Sequence, residues 1–169
     1  MRYFTWPLAW VSFAWSLTAY AAEFNVDVHS VDAKGVGSSL GAIAVKETGQ
    51  GLVFTPKLKG LPPGQHGFHV HENPACAPGE KDGKIQAGLA AGGHYDPDQT
   101  GKHLGPDGHG HRGDLPMLSV AGDGAATQPV TSRRLTGADV AGRSMIIHAD
   151  PDNYGDQPGG ARIACGVIR

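Results

Sequence analysis

From residue 24 to residue 168 the chain is a succession of short runs with strand character, each broken by glycine or proline before a helix could grow. "FNVDVHSV" (24–31) alternates apolar and polar residues, as a half-buried strand does. "GAIAVKET" (41–48) and "GLVFTPKL" (51–58) flank Gly49 and Gln50, the spacing of a two-residue hairpin. "GQHGFHVHE" (64–72) follows the turn "LPPG", and "LPMLSV" (115–120), "AATQPVTSRRL" (125–135), "RSMIIHAD" (143–150) and "ARIACGVI" (161–168) come later. One helical turn fits "LTGADVAG" (135–142), with Thr136 as its cap. With 26 glycines and 12 prolines, the pattern predicts an all-β fold. The expected architecture is an eight-stranded Greek-key flattened barrel, or sandwich, with two long functional loops. One loop is a glycine-rich gap of about 40 residues between the fourth and fifth strands; the other is "DNYGDQPGGA" (152–161).

The N-terminus has a different character. Arg2 precedes an apolar run that ends in Ala19-Tyr20-Ala21, the order of a secretory signal peptide over residues 1–21. Cleavage is expected after Ala21, with Ala22 as the alternative. The run is short for a membrane span and Pro7 interrupts it, so no stable membrane insertion is expected after cleavage. Trp6, Trp10 and Trp15 all lie in this segment, so the mature chain should contain no tryptophan. Residues 22–169 form a single domain, long enough for a real core. A formal charge of −2 excludes nucleic acid as an obvious partner. Cys76 and Cys165 are the only cysteines, and in an exported chain an even pair reads as a disulfide.

The histidines carry the chemistry. On a strand, side chains alternate faces, so His69 and His71 project together and Val70 projects opposite. The long loop adds His94, His103, His109 and His111, with Asp114 three residues beyond the last. "MIIHADPD" adds His148, Asp150 and Asp152. One tetrahedral zinc is filled by about four donors. The surplus implies two ions, or one ion and several bystanders. Imidazole with a single carboxylate suits zinc or copper, whereas magnesium and calcium want mostly oxygen.

Taken together, "GFHVHE", "GGHYDP", "GKHLGP", "HRGDLP", "MIIHAD", "DNYGDQP" and "ARIACGVI" resemble the copper–zinc superoxide dismutases of the bacterial periplasmic branch. The motifs span essentially the whole mature chain, in the family's order. The resemblance implies copper held by His69, His71, His94 and His148, and zinc held by His94, His103, His111 and Asp114, one ion of each per subunit. His94 would bridge the two as an imidazolate. Asp152 would link His69 and His103 through their outer ring nitrogens, and Arg162 would stand at the mouth of the copper channel. The implied activity is disproportionation of superoxide to oxygen and hydrogen peroxide in the periplasm, by a monomer or a homodimer.

Other polar residues receive plainer readings. His29 lies on a strand away from the cluster, and His66 is expected to hydrogen-bond structurally. His109, two before His111, could reach zinc in its place; the family's H-x-G-D pattern falls on His111 and Asp114, which leaves His109 as a spare metal-capture group or without a role. Asp150 reads as a turn residue before Pro151, and Arg133 and Arg134 read as a solvated strand end. Lys81 and Lys84 could draw an anion toward the mouth. The competing activities are a zinc hydrolase and a non-catalytic copper or zinc store. For the hydrolase, Glu72 is the nearby acid, but a regular strand would turn it to the other face.

Overall fold

The computed structural model describes residue 1, residues 21–155 and residues 159–169. The expected signal segment, with its tryptophans, lies outside the described residues apart from its two ends. The first three strands, β1 (Glu23–Asp32), β2 (Gly35–Thr48) and β3 (Gly51–Leu58), form an antiparallel meander. Their alternation sends Val26, Val28, Ile43, Val45, Leu52 and Phe54 into the core. The turn between β2 and β3 falls on Gly49 and Gln50, as the spacing predicts.

The stretch expected as one strand over 64–72 is two, β4 (Gly64–His66) and β5 (Phe68–His71). Gly67 is the break. Its N–H donates to Asp150 O at 2.9 Å and its carbonyl accepts from His148 N at 2.8 Å. A Cβ at Gly67 would lie 2.6 Å from Asp152 Oδ1, so only glycine lets that carboxylate come so close.

A hairpin the sequence reading did not include follows: β6 (Gly79–Lys81) and β7 (Lys84–Gln86). Its turn is Asp82-Gly83, both at positive φ, a dipeptide that favours two-residue hairpins. Then come β8 (Leu118–Val120) and β9 (Val130–Ser132). The β9 strand is much shorter than the expected 125–135, because Pro129 has no N–H to continue the ladder. The capped turn is α1 (Gly137–Val140), where Thr136 and Asp139 form a reciprocal capping box. The last strands are β10 (Ser144–His148) and β11 (Arg162–Val167).

Seven strands form one curled antiparallel sheet in the order β5-β10-β11-β1-β2-β3-β9, and β4 pairs with β8. The C-terminal strand thus sits between β1 and β10, a Greek-key crossover. Every stretch read as strand carries one, and the all-β barrel is as expected. The main core lies inside the curl, where Phe54 and Phe68 meet edge to face at 5.8 Å. On the outside of β5 and β10 a smaller buried cluster joins Ile146, Ala91, Val31 and Cys165. Cys76 and Cys165 form a disulfide with Cα atoms 5.8 Å apart, tying the chain after β5 to β11.

Candidate metal centre

On β5, Phe68 and Val70 point into the main core, so His69 and His71 point outward. On neighbouring β10 the same alternation buries Met145 and Ile147 and leaves His148 on the side of the histidines. The other edge of β5 is taken by two pieces of the long loop. Val70 N donates to Gly113 O at 2.9 Å, Tyr95 N to Val70 O at 2.8 Å and Leu115 N to Phe68 O at 3.2 Å. These bonds bring His94 beside His71 and Asp114 beside His69. The donors therefore come from the backbone of the sheet and from loop segments stitched to it.

The donors converge in two overlapping groups. His69, His71, His94 and His148 have ligating atoms all within 4.8 Å of one another, and so do His69, His94, His103 and Asp114. In the first group the outer nitrogens fix the tautomers. His69 Nε2–H donates to Asp152 Oδ2 at 2.8 Å, His71 Nδ1–H to Gly92 O at 3.0 Å and His148 Nδ1–H to Gly160 O at 2.9 Å. Each remaining nitrogen is then a lone pair. His69 Nδ1, His71 Nε2 and His148 Nε2 are all buried without a hydrogen-bond partner. Leaving buried acceptors unpaired is costly, and three aimed into one space fit a cation.

Asp114 organises the second group. Its Oδ1 lies 2.8 Å from His94 Nδ1 and 3.6 Å from His111 Nδ1, and its Oδ2 lies 2.9 Å from His103 Nδ1. His94, His103 and Asp114 offer the donor types of a zinc site, and His111 stands beside them but outside both convergent groups. His69 is near this group too, but its Nε2 hydrogen is committed to Asp152, leaving one lone pair to serve one group. Asp152 also stands 3.5 Å from His103 Nε2, so it spans both groups.

Burial keeps the first group neutral. It pulls His69 down to about 3 against the Asp152 hydrogen bond, and His148 down to about 4 against the Gly160 bond. His71 and His94 are lowered by burial as well. At His103 burial also acts downward, but Asp114 and Asp152 outweigh it and raise the group to about 9. Both carboxylates are resisted by burial yet held well below their usual range by these histidines.

These shifts set the pH dependence of the metal-free protein. His69 and His148 titrate below the ordinary 6.5, so their contribution is present above pH 6.5 and lost as pH falls toward 4 and then 3. That amounts to about 2 kcal/mol for each such imidazole at pH 5. His103 acts oppositely: its contribution is complete below pH 6.5 and lost as pH rises through about 9. Urea unfolding of the metal-free protein should therefore show maximum stability near pH 6.5, with the steeper decline on the acid side.

His94, His103, His111 and His148 line a cleft of about 490 Å³ together with Arg162. The guanidinium of Arg162 donates to Gly88 O and Gly92 O, both at 2.6 Å. Gly92 O also accepts from His71, so one carbonyl ties a donor imidazole to the arginine. Glu72 does not turn to the opposite face, because β5 ends at His71; it lines the cleft and accepts from Gly93 N at 3.0 Å.

The remaining candidates fall outside the centre. His109 and Asp150 are exposed and in neither donor group, and Lys81 and Lys84 are exposed on the β6–β7 hairpin. His29 is half-buried on β1, opposite Cys165. His66 is buried with its ring nitrogens 2.7 Å from His148 O and 2.8 Å from Pro62 O, a structural role. Arg134 is not a solvated strand end: it is half-buried and donates to Gly110 O and His111 O. Neither its role nor that of Gly92 O is visible in residue spacing, since both act through backbone carbonyls.

Fold and site together define a class: a β-barrel metalloprotein with two adjoining imidazole-rich donor groups on the outer face of its sheet. Comparison with known proteins narrows it. The family described as Copper/zinc superoxide dismutase (SODC) matches residues 39–168. Superoxide dismutase [Cu-Zn] 2 of Salmonella typhimurium is 52% identical over 96% of this chain and 97% of its own length. The solved Cu/Zn superoxide dismutase from Brucella abortus is 48% identical, with a TM-score of 0.85 over 88% of this chain and 100% of that one. The solution structure of the monomeric copper, zinc superoxide dismutase from Salmonella enterica is 53% identical, with a TM-score of 0.79 over 88% of this chain and 100% of that one. The chain belongs to the copper/zinc superoxide dismutase family.

Proposed function

We propose that the mature chain disproportionates superoxide, turning two superoxide anions and two protons into oxygen and hydrogen peroxide. The observation that carries this reading is the set of buried lone pairs on His69, His71 and His148, converging beside the His94–Asp114 contact. His69, His71, His94 and His148 hold copper; His94, His103, His111 and Asp114 hold zinc. When bound, copper supplies one-electron redox chemistry, and zinc, with its filled d shell, supplies a fixed positive charge.

The chain does the rest. His94 Nδ1 is engaged with Asp114, which leaves Nε2 for the copper side. His94 belongs to both donor groups, and with both ions bound it would serve each through one ring nitrogen, the condition under which an imidazole loses its last proton near neutrality. Nε2, at the cleft, is the atom that can take a proton and hand it to reduced dioxygen. Asp152 fixes the His69 tautomer and braces it against His103. Arg162 draws the anion into the cleft through a charge held in place by two carbonyls.

Residues 1–21 export the chain, and residues 22–169 work in the periplasm. The described residues include no helix long and apolar enough to cross a membrane. Both convergent donor groups lie within one chain, which supports activity in a single copy, as does the relative described as monomeric. The test is superoxide loss catalysed by the mature chain loaded with copper and zinc. Tight binding of both ions without turnover would make it a metal store instead. Arg162→Ala should retain both metals but lose roughly tenfold in rate at low ionic strength, with a weaker salt dependence. An unchanged rate under those conditions removes Arg162 from the guiding role.

A further inference from the structure

Two successive carbonyls of the long loop are gripped from outside it. Arg134 Nη2 donates to Gly110 O at 2.7 Å and Nη1 to His111 O at 3.1 Å. Arg134 lies just past β9, at the edge of the sheet, and its own N–H donates to Ser132 Oγ at 3.3 Å. From the other side, His111 N donates to Lys102 O at 2.8 Å, in the segment that carries His103. Gly110 is buried between them, where a Cβ would lie 2.8 Å from Leu104 N. The 110–111 peptide is therefore clamped between another donor's segment and a guanidinium fork.

His111 is the donor that most needs such a clamp. Its side chain is 19% exposed, against 1% for His103. Its Nδ1 is 3.6 Å from Asp114 Oδ1, whereas His94 Nδ1 is at 2.8 Å. Burial and the carboxylate thus hold its ring less firmly than those of its neighbours. A planar fork that is always charged suits two adjacent carbonyl acceptors, and the ammonium of lysine cannot reproduce that geometry.

We propose that Arg134 is a positioning residue for the zinc side of the centre, setting where the His111 imidazole stands by holding Gly110 O and His111 O. The inference rests on His111 being a zinc donor. It adds a residue, just past β9 and bonded to the loop through backbone carbonyls, on which zinc affinity depends.

The test uses the mature chain and its Arg134→Gln, Arg134→Lys and His111→Ala variants. Zinc affinity is read by competition with a chromogenic chelator. The absorption spectrum of cobalt(II) placed on the zinc side reads the donor geometry, and melting of the metal-free chains reads the fold. Arg134→Gln should weaken zinc by about 10- to 100-fold and alter the cobalt spectrum, and Arg134→Lys should recover part of both. Parental affinity and spectrum in Arg134→Gln, with His111→Ala still losing zinc, overturn the proposal and leave His111 in place. A loss of affinity that lysine does not recover, and that merely follows a fall in melting temperature, also overturns it. Parental zinc affinity in His111→Ala removes the assignment of His111 itself.

Discussion

Changing His94 to alanine should lower superoxide turnover by more than about 100-fold and weaken copper and zinc together. Replacing a group that merely supports a donor typically costs 10- to 100-fold in metal affinity or activity, and His94 is itself a donor, belonging to both groups. Its Nδ1 touches Asp114 on one side, and its ring centroid lies 4.0 Å from that of His69 on the other. Removing zinc from the parent should shift the copper spectrum, and the same treatment of the His94→Ala variant should not. Loss of only one metal's affinity in that variant would show that the two groups do not share this ring.

Opening the disulfide should have the largest effect on stability. The Cys76→Ser, Cys165→Ser double variant frees a loop closed across 89 residues of sequence. On the chain-entropy account that constraint is worth about 4–5 kcal/mol, or a fall in melting temperature of about 10 °C or more for a domain of this size. Urea unfolding of metal-free parent and variant measures it directly. Turnover should fall as well, because the bridge anchors the segment that carries Gly88 and Gly92 to β11, where Arg162 stands. A variant unfolding at the parental urea concentration would mean that packing of Ile146, Ala91 and Val31 around Cys165 holds this region without the bond.

Much of this was legible in the sequence, for identifiable reasons. Period-two alternation marks β1 to β3 and the outward pair His69 and His71, because burial on one face dictates the register. The cap at Thr136 and the turn at Gly49-Gln50 are local and so were readable. The resemblance motifs contain every residue of the two donor groups, whereas His111, which they also name, stands outside both, 3.6 Å from Asp114. Sheet order was not readable, since nothing local says that β11 lies between β1 and β10. The break at Gly67 was also hidden, because its cause is Asp152, 85 positions away, needing the space a side chain would fill. The Asp82-Gly83 hairpin carried its signal in plain view within a stretch read as loop. Arg134 was misread because its partners are the carbonyls of Gly110 and His111, which leave no mark in residue type.

Because His71 and Arg162 lean on the same oxygen of Gly92, the donor imidazole and the guanidinium share a hinge. A shift of that peptide would retune both at once. Any displacement of the 88–92 turn is thus passed to β5 and β11 together.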